Sequence, residues 1–260
     1  SLCLKLCPWA KFRKNKGGIK MHTLVDLRGN LPVSVYLTSA SVNDVKALDD
    51  LYIEPSAIYL MDRGYVDFNR LFKLITKKNA FFVTRAKDNI LFEVVSEAEV
   101  DKSTGIISDE RIKLTGLHTA KWYPEELRMV TYEDYATSKV YRFLTNNMEY
   151  EALTISELYR ERWNVELYFK WIKQHLHIKS FYGTSENAIY LQIWIAICTY
   201  LLLAYAKKVM HIDQSLHTIS KNVGLFLTDK TPLNELFNKA VPTEKTEDWL
   251  YPSLFRPDDF

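Results

Sequence analysis

The chain is poor in the features that usually declare a protein's class. It has three cysteines in 260 residues, Cys3, Cys7 and Cys198. They make neither a disulfide framework nor a zinc signature, so a reducing, cytoplasmic setting is the expectation. A formal net charge of +2 is too small to argue for nucleic acid by itself. No internal repeat and no signal peptide are visible, so neither a solenoid nor a secreted precursor is expected. Long apolar runs are also scarce. Only Ala188 to Ala206 is long and apolar enough to span a bilayer. It holds Gln192 and Thr199, ends at Lys207-Lys208 and stands alone. The expectation is a helix buried in a soluble core, with no membrane partner.

What is present is more specific. The length suffices for one sizeable core with a smaller insertion. The apolar fraction of 47% and charged fraction of 25% are those of an ordinary globular protein. The small net charge hides an uneven distribution: Lys11, Arg13, Lys14, Lys16 and Lys20 crowd together near the start, as a nucleic-acid contact would require. His175 and His177 lack the spacing of a helical metal pair and are read as surface or DNA-facing residues. Residues 1–6 alternate like a strand, so the chain is expected to begin inside an element and to be a piece of something longer.

The pattern then runs as follows. A Lys-, Arg- and Gly-rich loop covers 7–18. Strands at 19–25 and 31–37 flank a turn at 26–30, making a hairpin. A short helix capped by Ser41 or Asn43 ends about Leu51. A buried parallel strand, 57–61, ends abruptly at Asp62-Arg63-Gly64-Tyr65, where Gly64 is expected to permit a sharp turn. An amphipathic helix covers 68–78, and another buried strand, 80–84, ends at Arg85 and Lys87. The order predicts an α/β fold, a mixed sheet with helices on both faces. Residues 90–150 alternate apolar and polar and read as a β-rich insertion. Two long helices, 153–180 and 186–209, follow. The expected division is a core over 1–89, the insertion over 90–150, a helical second part of the core over 151–210, and a helical or irregular tail over 211–260.

The first of those helices carries Tyr159, Arg162, Glu166 and Lys173. Offsets of three, seven and fourteen place them within about 60° of arc at 100° per residue. Leu158, Val165, Phe169, Ile172 and Leu176 gather on a neighbouring, core-facing stripe. A charged stripe is often only a solvated helix face, and Glu166 with Lys170 is ordinary i,i+4 chemistry. Tyr159 and Trp163 among the charges argue for more. In open α/β sheets, functional groups collect beyond the carboxyl ends of parallel strands, where Asp62 stands. Arg85 and Lys87 are expected at the same edge, as is the basic loop if the first strand runs parallel to the Asp62 strand. Asp62 alone could equally be an Asx turn or helix cap. One carboxylate from a strand end and one from a helix, set among cations, suit metal-dependent phosphodiester chemistry, with Mg2+ held by hard oxygen ligands. Such a site calls for a third carboxylate. Asp26 reads as a hairpin-turn residue and Asp44 as a helix N-terminal residue.

Tyr159-x2-Arg162-x3-Glu166-x6-Lys173 resembles the Y-R-E-K signature of bacterial DDE transposases of insertion-sequence family four. Asp62-Arg63-Gly64-Tyr65 is similar to that family's second-aspartate motif. Trp9 to Arg13, Gly17 to His22 and Phe82 to Arg85 also look like segments of this group. The resemblance covers residues 1 to about 210. It implies a ribonuclease H-like fold, with the β-rich insertion ahead of the signature helix. It implies Asp62 and Glu166 as catalytic, metal-binding carboxylates with Mg2+ (Mn2+ as a substitute), and a first aspartate a few residues before Ser1. It further implies phosphate contacts from Tyr159, Arg162 and Lys173, with double-stranded DNA as partner and a homodimer on DNA. Arg85, Lys87, Lys11, Arg13, Lys14 and Lys16 would add to the DNA surface. Trp122 or Tyr123 could stack a flipped base, though a packed aromatic on a β-ribbon is the plainer reading. The implied activity is cut-and-paste DNA cleavage and strand transfer. The alternatives are a catalytically inactive DNA-binding remnant and a ribonuclease H-like nuclease without strand transfer.

Overall fold

The computed structural model describes residues 2–5, 11–13, 16–176, 181–183, 185–226, 228, 230, 235 and 237, with backbone alone up to residue 17. Lys14, His177 and most of the expected tail therefore lie outside the described residues. The chain divides into two compact units. One is built from the residues up to Ser41 together with those from Val165 onward, the other from Val42–Asn164.

The first unit is organised by one long strand. β3 (Lys16–Asp26) pairs antiparallel with β1 (Leu2–Lys5), β2 (Lys11–Arg13) and β4 (Leu31–Ser39). The expected basic loop over 7–18 is thus corrected: Lys11–Arg13 and Lys16–Gly18 are strand backbone. The β3–β4 turn closes with Asn30 in the left-handed region at φ 51°, where Asn is the non-Gly residue best tolerated. On β3 every second side chain faces inward. Ile19, Met21 and Val25 pack with Phe169 and Ile172 of α4 (Trp163–His175) and with Ile193 and Ile197 of α5 (Glu186–Val209). α6 (Leu216–Leu225) adds Ile219 to a smaller cluster with Leu203.

α5 departs from its expectation as a buried helix. Ser185 caps it, accepting from the backbone N–H of Ala188 at 3.3 Å. Ile189, Ile193, Ala196, Ile197, Tyr200 and Leu203 are buried, yet Leu191, Trp194, Ile195, Leu202, Tyr205 and Val209 are exposed. It is the one described helix long and apolar enough to cross a membrane. Its packing against β3 and α4 accounts for one face only.

The second unit holds a six-stranded sheet in the order β5 (Ile58–Met61), β6 (Phe81–Arg85), β10 (Lys139–Thr145), β9 (Leu127–Asp134), β8 (Ile106–Leu114), β7 (Phe92–Glu97). Only β5 and β6 are parallel; the other neighbours are antiparallel. Alternation gives each face its own core. Phe82, Leu144 and Met129 point to the side covered by Phe68, Leu71 and Ile75. Val83, Phe143 and Val130 point to the side covered by Ile155 and Tyr159 of α3 (Ala152–Glu161). This is the mixed, helix-flanked sheet the sequence predicts, with four antiparallel strands ahead of the helical segment. The 68–78 helix is irregular: α1 (Phe68–Arg70) runs into a π turn at Leu71–Ile75 and a 3-10 turn at Thr76–Lys78. Among the described residues the hairpin strands pair with each other and with β1 and β2, in a four-stranded sheet of their own, where the sequence predicts one mixed sheet. One glycine is required here. Gly105 sits at φ 88°, and a Cβ would lie 2.8 Å from the carbonyl oxygen of Glu133.

Two polar anchors fix this sheet. The buried Arg128 and Asp109 side chains pair in a bidentate fork, Nε–Oδ1 and Nη2–Oδ2 both 2.7 Å. Arg128 Nη1 also donates to the carbonyls of Tyr150 and Asn147, just before α3 begins. Asn146 accepts from the Phe82 N–H at 2.9 Å and donates to the Ala80 carbonyl at 2.9 Å, continuing the β6 pairing beyond the end of β10.

Candidate active site

β5 and β6 pair in parallel with Met61 opposite Thr84. The next residue of each chain, Asp62 and Arg85, therefore emerges at one sheet edge. Strands are spaced by about 4.8 Å, so the two side chains leave as neighbours. Asp62 opens the 3-10 turn Arg63–Tyr65, and its carbonyl accepts from the Tyr65 N–H at 2.9 Å. Its carboxylate makes no capping hydrogen bond and is exposed. The helix-cap reading of Asp62 is thereby removed. The expected need for glycine at 64 is corrected too: its φ is not left-handed, and a Cβ there would meet nothing within 4 Å.

α3 lies over this edge. Tyr159 is 3% exposed, its ring 4.9 Å from that of Phe143. Burial pushes its phenol above the ordinary range, and the Asp62 carboxylate pushes the same way. The Arg162 and Arg85 guanidinium groups act in the opposite sense, Arg162 also through a hydrogen bond to the phenol. These four side chains thus share one electrostatic neighbourhood within a single unit. Arg162 lies 5.7 Å from the Tyr159 ring centroid, and Arg85 5.0 Å from that of Tyr141, separations at which guanidinium–aromatic attraction operates. Tyr159 is a core residue whose polar tip orients Arg162.

The single helix expected over 153–180 is two. The Arg162 N–H bonds back three residues to Tyr159 at 3.1 Å, a tightened turn that separates α3 from α4. Tyr159 lies in the last turn of α3, Arg162 stands at the junction, and Glu166 and Lys173 lie on α4. Glu166 is in the first turn of α4, half-buried, with Lys170 and Lys173 one and two turns on. The division between units falls at Asn164 and Val165. Asp62, Arg85, Tyr159 and Arg162 accordingly belong to one unit, and Glu166, Lys173, Lys11, Arg13 and Lys16 to the other. Among the described residues, no three His, Cys, Asp or Glu side chains cluster as a metal ion would need.

Lys87 has local work as well: its ammonium donates to the Val66 carbonyl at 3.0 Å, tying down the chain after Asp62. It also lines a cleft of about 420 Å³ with Phe68, Asn89, Leu117, His118 and Trp122. Trp122 is on the short helix α2 (Thr119–Trp122), not on a β-ribbon, and stacks on His118 with centroids 5.5 Å apart. Tyr123 is the packed aromatic, 1% exposed, its hydroxyl 2.8 Å from that of Thr76. His118 and Asn89 carried no sequence signal, because the cleft forms between segments some thirty residues apart. Asp26 ends β3 at the mouth of the hairpin turn, where its carbonyl accepts from the Gly29 N–H. Arg28 donates to both its oxygens, from Nε at 3.1 Å and Nη2 at 3.0 Å, and those bonds hold its carboxyl below the ordinary range.

The family model of the transposase DDE domain matches residues 8–202. A Sinorhizobium fredii protein named as transposase y4zB is 36% identical over 212 residues, covering 80% of this chain and 59% of its own length. A Geobacillus stearothermophilus protein named as a transposase for insertion sequence element IS5377 is 29% identical over 231 residues, covering 87% of this chain and 60% of its own length. A Synechocystis protein named for insertion sequence element IS4SA is 26% identical over 217 residues, covering 82% of this chain and 57% of its own length. The chain thus spans less than two thirds of the length of these relatives. No solved structure matches. With the family model covering three quarters of the sequence and a mixed α/β sheet of the ribonuclease H-like kind beneath it, the chain belongs to the bacterial DDE transposases.

Proposed function

We propose that this chain is the catalytic core of a cut-and-paste transposase, which cleaves insertion-sequence ends and transfers them into target DNA. The observation that carries the reading is the uncapped Asp62 carboxylate at a parallel-strand edge, in the electrostatic neighbourhood of Tyr159, Arg85 and Arg162. Phosphodiester transfer needs oxygen ligands for a divalent ion beside cations that hold phosphate. DDE transposases generally work with divalent metal ions, and Asp62 and Glu166 are assigned here as the carboxylates that would hold Mg2+, with Mn2+ as a substitute. The bound ion would supply Lewis-acid activation of the attacking and leaving oxygens. Asp26 is taken by Arg28 and Asp44 stands in the first turn of a 3-10 helix, so neither is assigned as a third ligand. That ligand is assigned to sequence preceding Ser1.

Arg162, Arg85 and Lys173 are assigned to DNA phosphates, with Lys87, Lys11, Arg13, Lys14 and Lys16 extending the contact, and Tyr159 as the residue that positions Arg162. Trp122, exposed beside Lys87, is assigned to stacking on an unpaired base. The partners are transposon-end and target duplexes, bound by a homodimer in the bacterial cytoplasm. A second reading, a DNA-binding remnant without cleavage activity, rests on the same cations.

The test is metal-dependent cleavage of a transposon-end duplex, comparing this chain with one extended upstream. Cleavage by the extended chain is expected to fall about a thousandfold or more in Asp62→Ala or Glu166→Ala, with DNA binding retained. Arg162→Ala is expected to weaken binding and reduce its salt slope by about one. Normal cleavage by Glu166→Ala would sink the site assignment, and cleavage by neither chain would favour the remnant.

A further inference from the structure

On its α3 side, the six-stranded sheet carries a row of three aromatic rings with a guanidinium at each end. The strand register builds the row. Val83 and Phe143 point to this side, and Arg85 stands directly opposite Phe143 in the β6–β10 ladder, so it points the same way. Tyr141, two residues before Phe143 on β10, shares the face. The Tyr141 and Phe143 rings stack with centroids 6.3 Å and planes 10° apart, and the Tyr159 ring follows at 4.9 Å from Phe143. Arg162 lies against the Tyr159 end of the row and Arg85 over the Tyr141 end, 5.0 Å from the ring centroid. Ile58 and Leu60 of β5 pack on this side too. Asp62, extended at φ −69° and ψ 154°, continues their alternation. Its carboxylate therefore leaves on the face where both guanidinium groups lie, all within one unit.

Two neighbouring cations repel, and a long side chain at a sheet edge has many rotamers, so an unrestrained Arg85 would spread through solvent. Tyr141 opposes that. It is 2% exposed and its ring is fixed by Phe143, so it offers a stationary, electron-rich face. Among the described residues no carboxylate forms an ion pair with Arg85. The distinction matters chemically: an ion pair would neutralise the guanidinium, whereas a ring face holds it and leaves its charge for an anion. We infer that Tyr141 is a positioning residue for Arg85, holding its guanidinium so that Arg85 and Arg162 meet DNA phosphate as a pre-set pair beside Asp62. The inference rests on the assignment of Arg85 to phosphate made above. It gives Tyr141 the task at one end of the row that Tyr159 has at the other. Restraint before binding removes part of the ordering cost when the phosphate arrives.

The test is binding of a transposon-end duplex by the 260-residue chain. Tyr141→Leu is expected to weaken binding about fivefold with the salt slope unchanged, because the Arg85 charge remains, whereas Arg85→Ala should reduce that slope by about one. Tyr141→Phe keeps the ring face and should bind as the unsubstituted chain does. In an Arg85→Ala background, Tyr141→Leu should cost nothing further; a residue that only supported the core would cost the same in both backgrounds. A second readout needs neither DNA nor the Leu variant. In NMR spectra of the unsubstituted chain, the ring current of Tyr141 should move the Arg85 Nε–H resonance upfield of exposed arginines, and Tyr141→Phe should keep it there. An unshifted resonance overturns the inference. Equal costs of Tyr141→Leu in both backgrounds overturn it as well and leave the phosphate assignment of Arg85 standing, as does full binding by Tyr141→Leu where Arg85→Ala binds weakly. Full binding by Arg85→Ala overturns the assignment and the inference together.

Discussion

Replacing Arg128 by Met tests the energetic core of the six-stranded unit. Arg128 and Asp109 are 7% and 9% exposed, and their fork is bidentate at 2.7 Å on both arms. Met roughly matches the aliphatic part of Arg, so little of the loss comes from packing. What is lost is the salt-bridge partner of a buried carboxylate, and donors to the Tyr150 and Asn147 carbonyls. Removing one member of a buried pair costs about 3–5 kcal/mol, a third or more of a typical domain's stability. The pair as a whole is worth far less, because desolvation offsets its attraction. The double variant Arg128→Met/Asp109→Leu should therefore recover most of the loss, with a coupling of about 2 kcal/mol or more. Urea unfolding followed by far-ultraviolet circular dichroism gives all four corners of the cycle. A single-variant loss below about 1 kcal/mol, or additive effects, would refute the reasoning. The same variant should loosen the start of α3, since Arg128 anchors the chain two residues before Ala152.

Tyr123→Phe keeps the edge contacts with Phe72 and Phe82 but removes the hydrogen bond to the Thr76 hydroxyl, which keeps Asn146 as its other partner; a loss of about 1 kcal/mol in urea unfolding is expected. The Arg70 fork, 2.8 and 2.9 Å from the Asp49 oxygens, holds the Asp49 carboxyl below its ordinary value. A carboxyl with a depressed folded value stabilises the protein above its unfolded pKa of about 3.9 and loses that contribution as pH falls through the folded value. Asp49→Asn should therefore destabilise at neutral pH and flatten the acid limb of stability against pH, measured by urea midpoints between pH 6 and 2. Tyr159→Phe should fold normally, because the ring contact with Phe143 survives, while DNA affinity falls about fivefold through loss of the Arg162 acceptor, the worth of one hydrogen bond.

Most elements were legible because burial imposes a period on the sequence. β5 and β6 are short apolar runs ended by Asp62 and Arg85, and the β3–β4 turn is written in Asp26 to Asn30. The helix after Asp67 shows its apolar spacing at Phe68, Leu71 and Ile75 even though its backbone changes from α to π to 3-10. Periodicity reports which side chains face a core and is indifferent to the hydrogen-bond register that delivers them. Strand partnership is another matter. That β3 takes β1 on its other edge, and that Lys11–Arg13 is strand instead of loop, depends on backbone pairing, to which composition is nearly blind. The break at Arg162 was invisible for a related reason: one tightened hydrogen bond leaves the 3.6-residue pattern on both sides intact.

The candidate site was legible in its residues and illegible in its division of labour. A helical wheel puts Tyr159, Arg162, Glu166 and Lys173 on one stripe and invites one role for all four. Tyr159 is instead buried against Phe143 and meets Arg162 through its hydroxyl and its ring. An aromatic in that position gives what a Gln on a solvated face could not: a ring fixed by packing and a polar tip fixed with it. Arg162 is thereby restrained at the junction of α3 and α4, which lowers the entropy lost when its guanidinium takes a phosphate. Lys87 has a second task beside the phosphate contact proposed for it: its ammonium holds the Val66 carbonyl and so the chain that leaves Asp62. Lys87→Ala should accordingly act on the position of Asp62 as well as on phosphate, lowering the catalytic rate of the extended chain more than its DNA affinity. An equal loss in both would leave Lys87 the phosphate contact alone.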